Sequence, residues 1–443
     1  MSDIKLVSRR EFVKAAGSAA AATSLLGAAP AAAQPPKRRY AIVGTGDRAQ
    51  GMWGRPLVQR YSDVLEFVGL CDINPKRAAI ARDLIGVTCP TFSNFEELCE
   101  KARPDLLMVT TVDAFHHEYI VKGLDRGLDV MTEKPMVIDE KQCQAVLDAE
   151  KRNNRKIVVT FNYRYAPKHR TVKEVIQAGE IGRVLSVDFS WYLDVYHGAD
   201  YFRRWHRLRN RSGSLWVHKA SHHFDLMNWW LAADPVEVSA NGSLRVYGRN
   251  GPFRHTNCRP CPHKKDCRFY YDMTTNATRM KLYAGAEDVD GYYRDGCVFR
   301  EDIDIFDTMS ATVKYSNDAI MSYSVNAHMP FEGYRVAFNG ELGRLEVRDH
   351  ERQPWDVADA DETEIYVTKS FGKRVRVPVQ VAEGGHGGGD DRLRDLIFRK
   401  VDAPPHMRLP DSRAGAMSCL TGIAARKSID EKRPIRIADL VKI

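Results

Sequence analysis

The sequence predicts an α/β protein whose first domain is of the Rossmann type, with a doubly wound parallel sheet. One observation is a glycine turn, Gly44-Thr45-Gly46, between the apolar runs at residues 40–43 and 65–71. Another is that apolar β-type runs alternate with helical patterns over residues 37–161, as in a parallel sheet covered by helices. The chain has 443 residues, too many for one typical domain, so we expect a second domain over residues 162–443.

The glycine turn has the residue types that dinucleotide binding needs. Gly44 permits the tight turn, and Gly46 lets the backbone approach a pyrophosphate at the N-terminus of the following helix. Thr45, Asp47 and Arg48 lie in the same turn and are further candidate cofactor contacts. An ordinary turn in an α/β domain is the alternative, because a glycine pattern alone is weak evidence.

The apolar run that follows ends in an acidic residue. Asp72 stands where a carboxylate would bind the ribose hydroxyls of the adenosine half of the cofactor. A carboxylate repels the 2′-phosphate of NADP, so Asp72 favours NAD. Lys76 and Arg77, which come soon afterwards, leave NADP open.

Composition and charge describe an ordinary globular protein, with 44% hydrophobic and 28% charged residues. The formal net charge is +8, and the basic residues are spread along the chain without an aromatic-spaced basic block. Nucleic acid is therefore not an expected partner.

The first 33 residues read as an export signal. Ser8-Arg9-Arg10 opens a motif that resembles a twin-arginine signal, and a charge-free, alanine-rich run over residues 15–33 follows. That run is too weakly hydrophobic for a stable membrane span, and we expect no such span in the processed protein. We therefore expect export by the twin-arginine machinery to a bacterial periplasm, with the cofactor loaded before the folded protein leaves the cytoplasm.

Candidate cofactor contacts also follow later strands of the predicted sheet. Thr110 and His116 come at and after one strand, and Glu133-Lys134 directly follows the next. Ligands bind at the carboxyl ends of parallel strands, so Lys134 could contact both cofactor and substrate there. A surface lysine before a turn proline is the alternative.

These residues, together with Asn162-Tyr163-Arg164-Tyr165, resemble the motifs of the Gfo/Idh/MocA oxidoreductases in the same order. The resemblance implies a Rossmann domain followed by a C-terminal α/β domain with an open, mostly antiparallel sheet, which supplies the substrate site and often a homo-oligomer contact. It also implies that Lys134 contacts nicotinamide ribose and substrate, that Glu133 supports the cofactor side, and that Asn162 and Arg164 line the cleft.

A second motif departs from the family pattern. His222 matches the catalytic histidine of the family and Asp225 the acid that follows it, whereas His218 stands where an aspartate is common. On one helix, residues 218, 222 and 225 share a face. We expect His222 to act as base or acid, Lys134 to stabilise the developing oxyanion, and His218 or Lys219 to orient the substrate. Hydrogen-bonded helix residues are the alternative for each one.

Two further substrate contacts are predicted in the second domain. His386 lies in a glycine-rich loop, which in the family lies near the substrate, and Trp205 offers a ring for stacking on a sugar. A flexible linker and a core aromatic residue are the respective alternatives.

Four cysteines belong to an insertion at about residues 251–300. Cys258, Cys261, Cys267 and Cys297 have a spacing that favours a structural zinc site. Two disulfides are the alternative, which an exported location permits.

The predicted function is that of an exported sugar or polyol oxidoreductase with tightly held NAD. A periplasm has no free nicotinamide pool, so the cofactor would be recycled within the protein. One alternative is an NAD-dependent glycosidase that oxidises its substrate transiently and eliminates the leaving group. Another is a non-catalytic sugar-binding protein that retains the fold.

Overall fold

A computed structural model describes residues 36–353, 363–380 and 382–442. The predicted export signal at residues 1–33 lies outside these described residues. Within them, no helix is both long and apolar enough to cross a membrane. Two sheets with their covering helices lie in the unit that begins at Arg38.

The first sheet confirms the predicted Rossmann fold. Its six strands are all parallel and are arranged in the order β3-β2-β1-β4-β5-β6, the order of a doubly wound dinucleotide-binding sheet. The strands are β1 (Arg38–Val43), β2 (Leu65–Cys71), β3 (Thr91–Phe92), β4 (Leu106–Val109), β5 (Asp129–Thr132) and β6 (Ile157–Val159).

Three helices of this part begin at residues whose side chains cap them. The Asn74 side chain accepts a hydrogen bond from the Arg77 amide, and Pro75 occupies the first turn of its helix. Asn94 and Asp139 cap two later helices in the same way. The helices are α1 (Arg55–Tyr61), α2 (Pro75–Ile85), α3 (Phe95–Ala102), α4 (His116–Asp125) and α5 (Glu140–Asn153), and a π-helix at Ala49–Gly54 precedes α1.

The second sheet has nine strands in the order β14-β13-β12-β11-β7-β10-β9-β8-β15. Only the β7 and β10 pair is parallel, so this sheet is mostly antiparallel, as expected. Its strands are β7 (Val184–Asp194), β8 (Pro235–Ser243), β9 (Thr308–Tyr315), β10 (Ile320–Met329), β11 (Glu332–Gly340), β12 (Gly343–Arg352), β13 (Thr363–Lys369), β14 (Arg374–Arg376) and β15 (Ile435–Arg436).

Buried helices cover one face of the second sheet and carry the residues of the second motif. The helices of this part are α6 (Pro167–Gln177), α7 (Val195–Arg203), α8 (Arg209–Ser212), α9 (Leu215–His218), α10 (Ala220–Leu231), α11 (Ala277–Arg279), α12 (Glu287–Asp290), α13 (Gly389–Arg394) and α14 (Ser412–Glu431). The prediction of one helix through residues 218, 222 and 225 is wrong in one respect. The chain forms α9, which Ser214 caps, and α10, with Lys219 between them, and at this break the His218 carbonyl accepts a hydrogen bond from Lys134.

The insertion contacts the Rossmann part. A π-helix at Met280–Ala284 lies between α11 and α12, and its Leu282 and Tyr283 pack with Ala81 of α2. The Asn74 side chain also donates a hydrogen bond to the Ala286 carbonyl at 2.8 Å. The insertion is therefore part of the surroundings of the glycine turn.

Close packing between α14 and α9 depends on a glycine. A Cβ atom on Gly422 would lie 2.1 Å from the Trp216 carbonyl oxygen, whereas one on Gly51 would meet nothing within 4 Å. We expect Gly422→Ala to lower the free energy of unfolding by about 1–3 kcal/mol through overpacking, although alanine is the better helix former. Thermal unfolding followed by circular dichroism measures the change.

The matched control is Gly51→Ala, which adds the same methyl group in an open helical position. We expect its Tm to be unchanged or slightly raised. Equal Tm values for the two variants would contradict the close packing of α14 on α9.

Candidate active site

The glycine turn is shaped for the close approach of another group. Gly44 has a φ of +85°, which glycine adopts without strain, and a Cβ there would lie 2.6 Å from backbone atoms of Thr111. A Cβ on Gly46 would lie 3.2 Å from the Tyr283 hydroxyl oxygen. Thr110 donates its hydroxyl to the Gly44 carbonyl at 2.5 Å, so it supports this turn. These residues fit a dinucleotide, whose pyrophosphate would use the backbone amides that glycine leaves open.

Asp72 is buried at the end of β2 and faces the same turn. One carboxylate oxygen accepts hydrogen bonds from the Thr45 amide at 2.8 Å and the Thr45 hydroxyl at 2.9 Å. The other accepts from the Asn74 amide at 2.9 Å and lies 3.3 Å from an Arg77 nitrogen. Asp72 is therefore held beside the turn, where a ribose would lie.

Glu133 holds the start of the helix that follows the turn. Its carboxylate accepts hydrogen bonds at 2.7 Å from Arg48 and at 2.7 Å from the indole of Trp53. Burial would lower the pKa of Arg48, but Glu133 and Asp390 raise it overall, so the guanidinium stays charged. The sequence did not single out Trp53, since an indole donor has no motif signal.

His116 links two loops at the same edge of the sheet. Its Nδ1 lies 2.7 Å from the Pro135 carbonyl oxygen and its Nε2 lies 3.1 Å from the Thr111 carbonyl oxygen. Both ring nitrogens therefore face the backbone. The prediction that His116 contacts the cofactor directly needs a free ring nitrogen, and this arrangement does not present one.

Lys134 is half-buried and joins the Rossmann part to the helices of the second motif. Its ammonium donates a hydrogen bond to the His218 carbonyl at 2.8 Å, at the end of α9 where the helix breaks. Burial lowers the pKa of Lys134 to about 8, and the carboxylates of Asp113 and Glu133 limit the fall. A cation is thus available near neutral pH beside the helices of the second motif.

His218 has a carboxylate partner that the sequence did not indicate. Its Nδ1 lies 2.6 Å from a carboxylate oxygen of Asp113, in the loop after β4. Burial lowers the pKa of His218 well below its usual value, and the nearby Lys134 lowers it further. Burial likewise raises the pKa of Asp113. The aspartate that the family pattern places at position 218 is therefore replaced by a carboxylate from the other domain.

His222 has different surroundings. Its ring stacks on the ring of Tyr163, with centroids 4.1 Å apart and planes 10° apart. Its Nδ1 has no hydrogen-bond partner among the described residues. Burial lowers the pKa of His222 well below its usual value, and Lys134 and Lys219 add to this effect. The imidazole is therefore neutral at pH 7 and able to accept a proton.

Lys219 lies at the break between α9 and α10. It donates to the Tyr163 hydroxyl at 3.3 Å and lies 3.7 Å from a carboxylate oxygen of Glu332. Glu332 in turn contacts Nδ1 of His197 at 3.0 Å, and Nε2 of His197 lies 2.9 Å from the Tyr201 hydroxyl. Sequence reasoning missed Glu332 and His197, because they lie 135 positions apart in the chain.

The glycine-rich loop does reach this region, where it contacts Asn162. The Asn162 amide donates to Asp390 at 2.5 Å and lies 2.9 Å from Nδ1 of His386. His386 also pairs with Asp390 at 3.0 Å, and its ring centroid is 5.3 Å from that of Tyr163. His386 is thus next to the His222 and Tyr163 stack, while its contact with substrate stays a prediction.

The other predicted substrate residues have partners of their own. Arg164 and Asp225 form two parallel hydrogen bonds of 2.8 and 2.5 Å, with Asp225 buried and Arg164 half-buried. The pair positions both side chains, while their contact with substrate stays a prediction. Trp205 is half-buried, stacks on His206 at 3.5 Å and meets His218 edge-on at 5.7 Å, which places it beside the candidate site.

The zinc prediction is not supported. All four cysteines of the insertion are free thiols, which also leaves the disulfide alternative without support. Across residues 36–353, 363–380 and 382–442, no group of three or more His, Cys, Asp or Glu side chains is placed to hold a metal ion. Burial raises the pKa of the metal-free thiols of Cys258 and Cys267. The guanidinium of Arg203 lies 3.2 Å from the sulfur of Cys258.

Fold and site together define a nicotinamide-dependent oxidoreductase. Residues 38–161 match the family model described as "Oxidoreductase family, NAD-binding Rossmann fold", and residues 173–437 match the model of its C-terminal alpha/beta domain. The chain therefore belongs to the Gfo/Idh/MocA oxidoreductase family.

Three similar proteins represent the relatives. YteT of Bacillus subtilis (strain 168), named as an oxidoreductase, is 40% identical over 427 residues, which are 92% of this chain and 99% of YteT. An inositol 2-dehydrogenase/D-chiro-inositol 3-dehydrogenase of Lactiplantibacillus plantarum is 31% identical over 29% of this chain and 37% of its own length. An aldose-aldose oxidoreductase of Caulobacter crescentus, solved with glycerol, has the same fold, with a TM-score of 0.60 at 15% identity over 90% of this chain and all of its own.

The contact between Asp113 and His218 predicts a kinetic effect. We expect Asp113→Asn to lower the rate of hydride transfer by roughly 10²-fold or more, because the imidazole loses the carboxylate that orients it. Substrate binding should change much less, so kcat falls more than KM rises. Single-turnover reduction of the bound cofactor measures the step.

Asp125→Asn provides the control, since it removes a carboxylate from an exposed pair with Arg152. Its rate should equal that of the unmodified protein. A fall in rate common to both variants, or none for Asp113→Asn, would rule out a positioning role for Asp113.

Proposed function

We propose that the protein transfers hydride between a nicotinamide cofactor and a carbinol carbon of a sugar or polyol, in the periplasm, with the cofactor retained between turnovers. The observation that carries the proposal is the position of Lys134. Its half-buried ammonium, just after the end of β5, donates a hydrogen bond to the His218 carbonyl at the break between α9 and α10. A charged group is thus held next to the imidazoles that can exchange protons.

The residues have distinct roles in this reaction. When bound, a nicotinamide accepts or returns hydride at the carbinol carbon. His222, neutral at pH 7, accepts the hydroxyl proton during oxidation, and Lys134 stabilises the negative charge that develops on the oxygen. Asp113 holds His218, and His218 and Lys219 orient the other hydroxyl groups of the substrate.

The cofactor side of the site extends from the turn to the strand ends. Gly44 and Gly46 would let a pyrophosphate approach the turn beside the Arg48 amide, and Asp72 would hold the adenosine ribose. Glu133 and Asn162 would support the nicotinamide half through the contacts that fix Arg48 and the loop around Asp390. Residues 37–161 would form the nucleotide domain and residues 162–443 the substrate domain.

Retention of the cofactor is supported by the insertion. The Asp47 amide donates to the Tyr283 hydroxyl at 2.9 Å, and Arg279 lies 3.1 Å from the Asp47 carboxylate. Residues from the second domain thus lie over the turn where a pyrophosphate would bind. Such a cover would slow nucleotide release, which suits a compartment without free nicotinamide cofactor.

The names of the relatives support the proposed substrate class, and the predicted export signal supports recycling of the cofactor within the protein. The names of the relatives specify an inositol and an aldose as substrates, so a polyhydroxylated carbon chain or ring is proposed here too. The twin-arginine motif at Ser8-Arg9-Arg10 supports export of the folded, loaded protein. Oxidation of one sugar and reduction of another would then restore the cofactor. The homo-oligomer expected from the family stays a prediction.

The test begins with full-length protein purified from cells with its cofactor in place. Denaturation should release stoichiometric nucleotide, and adding sugars and polyols to the folded protein should change the near-ultraviolet absorbance band of reduced nicotinamide. Absence of nucleotide would overturn the cofactor assignment. Cleavage of aryl glycosides without net reduction would replace the proposal with glycosidase chemistry.

The lowered pKa of Lys134 gives the reaction a pH dependence. About one pH unit or more below 8 the Lys134 ammonium is almost fully protonated, and the buried histidines are neutral through pH 6.5, so the rate of substrate oxidation should be nearly flat from pH 6.5 to about 7. At higher pH the ammonium loses its charge, and the rate should have fallen by about half at pH 8. A pH series of single-turnover cofactor reduction measures the profile.

Lys134→Arg is the matched variant, because arginine keeps its charge throughout this range. We expect a lower rate at pH 7, since the hydrogen bond to His218 changes, but no decline above pH 8. A rate that rises above pH 8 in the unmodified protein would make Lys134 the proton acceptor instead.

A further inference from the structure

The two cations that follow Asp72 both pair with the acidic helix of the insertion. Arg77 lies 3.3 Å from the Asp72 carboxylate and 2.5 Å from that of Asp290, and the exposed fraction of its side chain is 10%. Lys76 contacts Asp288 at 2.5 Å, but there both side chains are more than half exposed. The buried pair is thus the one that involves Arg77 and Asp290.

A cation at this position decides between NAD and NADP in Rossmann domains. An arginine near the ribose-binding acid accommodates the 2′-phosphate of NADP when its donors are free. Here one terminal nitrogen of Arg77 faces Asp72 and the other faces Asp290. The residue that could receive a 2′-phosphate is therefore occupied by carboxylates from two different parts of the chain.

Asp290 is held firmly enough for this role. Its other carboxylate oxygen accepts the Tyr292 amide at 3.2 Å, and the ring of Tyr283 lies 5.9 Å from the Arg77 guanidinium carbon. At the start of α12, Glu287 pairs with Arg259 at 2.5 Å. The acidic helix is thus fixed at its start to Arg259 of the insertion and at its end to Arg77 of α2.

We propose that Asp290 is a determinant of cofactor specificity, which commits the nucleotide site to NAD by occupying Arg77. The proposal rests on the proposed function, because it requires a nicotinamide dinucleotide in the glycine turn. It adds a residue of the second domain to a choice that sequence motifs assign to Asp72 alone. It also means that removing Asp72 by itself leaves Arg77 engaged.

The test compares Asp72→Asn, Asp290→Asn and the double variant, as folded full-length protein. Each is equilibrated with equal concentrations of NAD and NADP, and the bound nucleotides are released and quantified by chromatography. We expect each single change to raise the ratio of bound NADP to bound NAD by roughly tenfold or less. The double change should raise it by more than the product of the two singles, because only then is Arg77 free.

Asp288→Asn is the matched control on the same helix. It breaks the exposed Lys76 pair, and the NADP to NAD ratio should stay within about twofold of the unmodified value. Adding Arg77→Gln to the double variant should reverse the gain in NADP. An Asp290→Asn ratio equal to that of Asp288→Asn, or a double variant no better than Asp72→Asn, would overturn the proposal.

Failures of the two proposals are distinguishable. If the unmodified protein binds neither nucleotide, the proposed function fails. If it binds NAD but Asp290 has no effect on the ratio, only the specificity role fails.

Should Asp290→Asn not fold, Arg77→Gln in the otherwise unmodified protein gives a second measurement. If Arg77 is already occupied by the two carboxylates, the dissociation constant for NADP should be unchanged in Arg77→Gln. A weaker affinity of this variant for NADP would contradict the inference.

Discussion

The site depends on one largely desolvated charge, the ammonium of Lys134. Moving a cation out of water is costly unless polar groups compensate, and here the His218 carbonyl and the carboxylates of Asp113 and Glu133 do so. The carbonyl is available because the helix ends at residue 218. The same ammonium thus constrains three segments, which are the break at Lys219, the loop after β4 and the end of β5. These segments bring the two domains together around Lys134.

Other charged side chains in the interior are also compensated by partners that lie far away in the sequence. Arg164 and Asp225 neutralise each other, and Glu332 lies between Lys219 and His197. Such pairs contribute less to net stability than to the uniqueness of the arrangement, because breaking one leaves an uncompensated charge. The positions of the His218 and His222 imidazoles are therefore defined by neighbouring side chains and not by the spacing of residues along one helix.

Local patterns predicted much of this molecule. The Rossmann sheet follows from apolar runs and capping residues that act within a few positions, and the glycine turn from the conformational needs of Gly44. Asp113 and Asp290 could not be found in this way, since their partners are about a hundred residues or more distant and no spacing rule connects them. The zinc prediction failed for a related reason: cysteine spacing says nothing about the charge and burial around each sulfur.

The insertion that covers the glycine turn also limits how this architecture can be divided. Ile80 and Leu84 of α2 pack against Leu282 and Tyr283, which come from the C-terminal half of the chain. A nucleotide domain separated from that half would expose an apolar surface and leave Arg77 without one of its two carboxylates. The two halves are thus not interchangeable modules, and exchanging the Rossmann part with that of a relative would require the insertion to be transferred with it.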